Sequence, residues 1–285
     1  MQHYEYTDEH VRGRLERFEY SYTNHDGKRQ NKYANVYLPN GYDAKDTETK
    51  YDILYLIHGG MGSQDAWWDS TYLKNMLDTM IAKGEIKPMI VVTPTYYSYE
   101  PDGSFEKERD QIRLFQEELA GTLIPSLETK YHTFLTEGTK EAIERSRMHR
   151  ALSGFSMGGG TTWYGFTKNI KNIGWFIPLS GDSWEIELRG GQTQPEKTAE
   201  FLANVVKDAG FTAKDFYLFP ATGKGDIAYP NLTPQVEAMR KYPDIFVETD
   251  GNPNGNFHYL VEEEGVHCYP DVLWYLHEIL PRVFK

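Results

Sequence analysis

A mostly parallel, doubly wound α/β sheet opened by an N-terminal antiparallel hairpin is the fold class this 285-residue chain predicts. Three observations carry it. Strand-like and helix-like segments alternate along nearly the whole length, the pattern of a sheet covered by helices on both faces. Several strand-like runs are continuously apolar, as strands buried on both faces must be. The first two instead alternate in period two around a turn sequence, as a half-exposed hairpin does.

The elements follow in order. "RFEYSYTN" (Arg17–Asn24) and "KYANVYLP" (Lys32–Pro39) flank "HDGK" and form the hairpin. "YDILYLIHGG" (Tyr51–Gly60) and "PMIVVTP" (Pro88–Pro94) are the first buried strands. Between them Leu73, Met76, Leu77 and Met80 recur at helical spacing and the helix stops at Gly84. Phe115–Tyr131 reads as a helix in which Pro125 is a kink or break. "RMHRALSGFS" is a strand leading directly into "GGGTTWYGFTKN", a helix. Gly174–Asp182, Lys214–Gly223 and Asn256–Gly265 supply three further strands. Helices over Gln192–Gly210 and Thr233–Tyr242 fit between them, and Pro270–Phe284 is the closing helix. No repeat, low-complexity tract or linker interrupts the chain, so a single domain over residues 1–285 is expected.

Composition excludes some functions. A formal net charge of −12 argues against nucleic acid and anionic membranes as partners, since both select basic surfaces. No apolar run reaches membrane-spanning length. Cys268 is the one cysteine, which rules out an intramolecular disulfide and a cysteine-cluster metal site. The first twenty residues lack the basic-then-apolar plan of a signal peptide.

The chemistry centres on Ser156 in "SGFSMGG". Gly154 and Gly158 flank it in a G-x-S-x-G pattern between strand and helix, which is the nucleophile elbow of α/β-hydrolases. A serine hydroxyl is a poor nucleophile at neutral pH and needs a base within hydrogen-bond reach. In that fold the order is serine, acid, histidine. Of the nine histidines only His258, His267 and His277 follow Ser156, and only His267 falls in the loop between the last strand and the last helix. Asp226, in the loop after the Lys214–Gly223 strand, is the preferred acid. Asp182 in "PLSGDSW" is the alternative, and Asp244, Asp250 and Asp271 are remoter ones. An oxyanion hole needs two backbone N–H groups. One is expected from Met157 and the other from the "HGGM" turn, at Gly59, Gly60 or Met61. Neither metal nor organic cofactor is required by this set.

The segments "YDILYLIHGGMG", "SRMHRALSGFSMGGGTTWY", "IPLSGDSW", "ATGKGDIAYPNLTPQVEAM" and "GVHCYPDVLWYLHEILP" resemble feruloyl esterases of carbohydrate esterase family 1, especially the esterase modules of clostridial xylanases and their rumen relatives. The resemblance runs from about residue 17 to the C-terminus. It implies Ser156 as nucleophile, Asp226 as acid and His267 as base, with hydrolysis of feruloyl esters on plant arabinoxylan as the activity. It also implies that Trp184 flanks the aromatic acid and that the protein is secreted, an expectation the N-terminal sequence does not support. Cleft-loop aromatics suited to a planar phenolic acid include Trp67, Trp68, Tyr96, Tyr97, Trp184, Tyr229 and Tyr269. The Tyr- and acid-rich stretch Tyr96–Asp110 is expected to overhang the cleft. An acetyl or other small-acyl esterase, and a carbohydrate-binding relative without catalysis, are the competing readings.

Overall fold

A computed structural model describes residues 11–99 and 103–285. The N-terminal decapeptide and residues 100–102 of the Tyr96–Asp110 stretch lie outside the described residues. The hairpin is longer than its alternation suggests: β1 (Arg14–Thr23) and β2 (Arg29–Leu38) pair antiparallel over ten residues each. Next come β3 (Asp52–Ile57), the short helix α1 (Ala66–Ser70), α2 (Leu73–Ala82) and β4 (Met89–Thr93). Helix α3 (Phe105–Glu118) runs through one π-type turn at Leu119–Leu123 into α4 (Ile124–Glu128), and α5 (Lys140–Arg145) follows. The elbow lies between β5 (Arg150–Phe155) and α6 (Met157–Asn169). The second half holds β6 (Trp175–Leu179), α7 (Gly190–Thr193), α8 (Pro195–Asp208), β7 (Tyr217–Leu218), β8 (Ala221–Gly223), α9 (Tyr229–Met239), β9 (Leu260–Glu262) and α10 (Tyr269–Ile279).

The nine strands form one sheet in the order β1-β2-β4-β3-β5-β6-β8-β9, with β7 also paired to β6. β1, β2 and β4 join antiparallel, and every pairing from β4 onward is parallel. In β3 the side chains alternate: Ile53, Tyr55 and Ile57 enter one core, Leu54 and Leu56 the other. The first core is closed by residues of α3, α6, α8 and α9, the second by α1, α2 and α10. Two covered faces explain why these strands read as unbroken apolar runs. Among the described residues no helix is long and apolar enough to cross a membrane.

Four expectations are corrected. The helix that sequence starts at Phe115 begins at Phe105, with the Ser104 side chain accepting the Lys107 N–H as its cap. Pro125 does not break it: the π-type turn at Leu119–Leu123 comes just before this proline, and the chain stays helical from that turn into α4. The strand expected over Lys214–Gly223 is divided at Phe219-Pro220 into β7 and β8, and helix α9 begins four residues before Thr233.

Candidate active site

All the groups singled out from sequence as reactive lie at the C-terminal ends of the parallel strands, where loops converge. Ser156 follows β5 with φ 57° and ψ −112°, a region that L-residues avoid and that persists only when the surroundings hold it. Its N–H donates to the Leu179 carbonyl at the end of β6, and its carbonyl accepts from Gly160 as α6 starts. The flanking glycines are there because backbone passes too close for a side chain. A Cβ on Gly154 would stand 2.6 Å from the carbonyl carbon and oxygen of Gly158, and one on Gly158 would stand 2.5 Å from the Ile57 carbonyl oxygen.

His267, in the loop between β9 and α10, brings Nε2 to 2.9 Å from Ser156 Oγ and Nδ1 to 2.7 Å from Asp226 Oδ1. The Asp226 carboxylate therefore fixes the tautomer, with Nδ1 donating to it and Nε2 left to accept from the serine. Asp226 is nearly inaccessible to solvent and also accepts the Ala228 N–H at 2.7 Å. Burial alone would raise its pKa, but the hydrogen bonds from His267 and the Ala228 N–H prevail and hold it below the ordinary carboxylate value. Asp182, the alternative acid, is occupied elsewhere: it accepts Trp184 Nε1 at 3.0 Å and the Gly191 N–H at 2.9 Å, and burial pushes its pKa up. Asp250 approaches His258 instead, and Asp271 caps the Val266 N–H.

The three candidate donors of the "HGGM" turn differ in availability. The Gly59 N–H is bound to Tyr269 Oη (3.1 Å) and the Met61 N–H to Tyr97 Oη (2.9 Å). Gly60 is in contact range of Met157, since a Cβ on it would meet Met157 Cγ at 3.0 Å. Met157 opens α6, so its N–H has no acceptor in its own helix and lies at the positive end of the helix dipole. Gly60 and Met157 both line the cleft, and no tyrosine hydroxyl takes their N–H groups as Tyr269 and Tyr97 take those of Gly59 and Met61. Beneath them His58 is fully buried, with Nδ1 donating to the Gly59 carbonyl and Nε2 accepting from Thr95 Oγ1. Burial lowers its pKa to about 4 and keeps it neutral.

A cavity of about 670 Å³ opens over Ser156 and His267. Its walls include Gly60, Met61, Phe105, Glu108, Asp182, Trp184, Arg189, Gln192, Ile227 and Asn231. Trp184 meets Phe105 edge to face at 6.0 Å between ring centroids, and its indole is pinned by Asp182. Of the expected aromatic contacts, Trp184 is therefore at the cleft, whereas Trp67, Tyr229 and Tyr269 are not among its walls. Trp67 is wholly buried, donates to the Ile57 carbonyl and packs on Tyr269. Tyr269 lies below the turn with its hydroxyl on Gly59, and Tyr229 begins α9 one position beyond the lining residue Ala228. Trp68 is turned to Thr93, and Tyr96 is buried against His58. Sequence reasoning missed Phe105, Glu108, Arg189, Gln192 and Ile227. Only Phe105 and Glu108 carried a signal, through the stretch expected to overhang the cleft. Among the described residues no group of three or more His, Cys, Asp or Glu is gathered as a metal would require.

A serine reached by a histidine–carboxylate pair, at the strand-end elbow of a doubly wound sheet, defines the α/β-hydrolase class. The chain belongs to the Esterase family ("Putative esterase"), whose model matches residues 29–189. Over 254 residues it is 37% identical to endo-1,4-beta-xylanase Y of Acetivibrio thermocellus, covering 89% of this chain and 22% of that protein. It is 32% identical over 157 residues to an endo-1,4-beta-xylanase/feruloyl esterase of Xylanibacter ruminicola, covering 53% of this chain and 20% of that one. The chain thus spans about a fifth of the length of these relatives. Among solved structures, the feruloyl esterase module of Clostridium thermocellum, as a mutant complexed with sinapinate, superposes with a TM-score of 0.84 at 35% identity, covering 99% of this chain and 91% of that one. A ferulic acid esterase of Anaeromyces mucronatus matches at 0.71 and 19% identity, over 99% and 94% of the chains, a likeness of fold alone. These likenesses place the chain in the Esterase family, beside a feruloyl esterase module.

Proposed function

We propose that the chain, acting as a single domain, hydrolyses feruloyl and related hydroxycinnamoyl esters of plant arabinoxylan through an acyl-enzyme on Ser156. The observation that carries the reading is the continuous hydrogen-bonded series Ser156–His267–Asp226, at 2.9 and 2.7 Å, opening into a cleft walled by Trp184 and Phe105. Similarity to a feruloyl esterase module that binds sinapinate supports the aryl acyl group, and similarity to two xylanases supports the polysaccharide.

In this reading Ser156 Oγ attacks the ester carbonyl carbon while His267 Nε2 takes its proton. Asp226 stabilises the imidazolium without itself becoming protonated. The carbonyl oxygen becomes an oxyanion held by the N–H groups of Gly60 and Met157. Collapse expels the sugar hydroxyl, protonated by His267, and leaves a feruloyl-serine. Water, deprotonated by the same histidine, then releases ferulate and restores Ser156. The planar acyl group would lie against Trp184 and the exposed ring of Phe105, with the apolar Ile227 beside it.

Initial rates on methyl ferulate and 4-nitrophenyl acetate, for the chain and for Ser156→Ala, test this. Efficient ferulate turnover that vanishes in Ser156→Ala is the expected result. Cleavage of acetate alone would refute the acyl assignment, and unchanged activity in Ser156→Ala would refute the nucleophile.

A further inference from the structure

We infer that Tyr97, anchored on Glu108, is a positioning residue that holds the oxyanion turn in its working conformation by clamping the Met61 N–H. The inference rests on the esterase reading above and adds a specific dependence to it. Three facts converge on the clamp. Met61 is a non-glycine residue at φ +58°, a left-handed conformation that its side chain disfavours. It is also 67% exposed, so packing of its side chain does not hold it there. What does is a bond from its N–H to Tyr97 Oη at 2.9 Å.

The hydroxyl is well prepared to accept. Its single proton is committed to Glu108 Oε1 at 2.7 Å, so the oxygen acts as an acceptor, taking the Met61 N–H at 2.9 Å and the Tyr96 hydroxyl at 3.2 Å. Glu108 is itself buried on α3, and its other oxygen takes the Tyr96 hydroxyl at 3.1 Å. Burial pushes the Tyr97 phenol up to about 12, so it stays protonated across the working range of an esterase. On the other side of the turn, His58 stacks against Tyr96 at 4.6 Å and holds the Gly59 carbonyl, while Tyr269 holds the Gly59 N–H. Gly60 lies between two tethered residues, and its own N–H is the one left free to meet charge in the cleft. The Gly60 N–H belongs to the Gly59–Gly60 peptide, which His58 holds by the Gly59 carbonyl, and the clamp on Met61 fixes the next peptide. Releasing Met61 would let its left-handed φ relax and shift Gly60, with its donor, away from the reacting oxygen. A glycine at position 61 could adopt the same φ without strain.

The test is steady-state kinetics on methyl ferulate for Tyr97→Phe, for Tyr97→Phe combined with Met61→Gly, and for Ser156→Ala. Affinity for a phenylboronic acid, which forms a tetrahedral serine adduct, is measured beside affinity for ferulate. Loss of a whole oxyanion donor costs on the order of 10²–10³ in rate, so a misaimed one is expected to lower kcat by about 10- to 100-fold. KM and ferulate affinity should stay within about twofold and boronate affinity should fall with kcat, the pattern of an interaction made only in the transition state. Adding Met61→Gly should recover at least about fivefold in kcat, which a merely structural role for Tyr97 would not allow. If Tyr97→Phe does not fold, Glu108→Gln replaces a charge-assisted bond by a neutral one and is expected to show a smaller loss of the same kind. Wild-type kcat in Tyr97→Phe, a loss confined to KM, or a loss that Met61→Gly leaves untouched overturns the clamp while an inactive Ser156→Ala leaves the esterase reading standing. Activity surviving in Ser156→Ala overturns both.

Discussion

Replacing Gly158 by alanine tests whether close backbone contact at the elbow is what aims the site. The added Cβ would stand 2.5 Å from the Ile57 carbonyl oxygen and 2.7 Å from that of His58, both main-chain atoms at the end of β3. Reaching even the closest approach that real Cβ atoms make requires α6 and β3 to part by roughly 0.5 Å, in a region packed like a crystal. Two energies oppose each other. Alanine gains up to about 1 kcal/mol of helix propensity over glycine, less at a helix N-terminus. Overpacking against backbone, which has no rotamer to yield, costs about 1–3 kcal/mol. Overpacking wins, but modestly, so Tm should fall by only about 2–6 °C for a chain of this size. Activity should suffer more, because the strand end being displaced leads into Gly59 and Gly60 while the helix carries Met157. A 1 Å misplacement is worth about 10²-fold in rate, so a loss of about 10- to 100-fold in kcat on methyl ferulate is expected. Gly160→Ala is the control, since its Cβ would meet only Ile112 Cδ1, at 3.1 Å, the movable end of a side chain. Its Tm should be unchanged or higher. The reasoning is refuted if Gly158→Ala keeps kcat within twofold and its melting temperature does not fall.

Other consequences can be measured on the same assays. Asp226→Asn keeps the shape but lets the imidazole adopt the wrong tautomer, so kcat should drop by about 10⁴ with the fold intact by circular dichroism. Trp184→Ala should raise KM for methyl ferulate at least about tenfold while leaving 4-nitrophenyl acetate within about twofold, since one aromatic wall contributes roughly 1.5–3 kcal/mol only to a ligand large enough to reach it; equal effects on both esters would remove Trp184 from the acyl pocket. Arg150→Met strands the buried Glu128 carboxylate that Arg150 grips through two bonds of 2.6 Å. A broken buried pair costs about 3–5 kcal/mol, seen as a Tm lower by about 10 °C, yet kcat should hold because Arg150 is at the far end of β5 from Ser156. Finally, His58 has a folded pKa of about 4 against an ordinary value of 6.5. The unfolded chain therefore binds more protons between those values, so stability is fully present above pH 6.5 and lost as pH falls toward 4, with a slope approaching about 1.4 kcal/mol per pH unit. Urea midpoints against pH should show that slope in the wild type and a flatter one in His58→Gln.

The parallel core was legible because its strands are buried on both faces and its turns are marked by glycine. What failed to register was polarity inside the fold. Helix α3 buries Glu108, Gln111 and Gln116 beside Ile112 and Phe115, so its inward stripe shows no apolar period over the first half and reads as a charged loop. Its N-cap serine was present, but a cap without periodicity is a weak signal. The division of β7 from β8 came from Pro220, which has no N–H to continue a ladder, inside a run whose apolar character alone suggested a single strand.

The site divides along the same physical line. Ser156, His267 and Asp226 were readable because chemistry constrains both their type and their chain order. The aromatic residues were not, because Trp and Tyr serve packing and ligand contact equally well until their surroundings are known. Trp67 and Tyr269 brace the end of β3 and the Gly59 turn, and only Trp184 among the expected substrate-binding residues lines the cleft. Glu108 illustrates the limit most sharply. A carboxylate in an acidic, Tyr-rich stretch reads as solvated surface, yet here it receives two tyrosine hydroxyls, and one of them, Tyr97, accepts the N–H of Met61, the one non-glycine residue in a turn of glycines. Such a dependence is a relation between a residue on α3, one after β4 and one after β3. It exists only once the sheet has brought those three segments to the same edge.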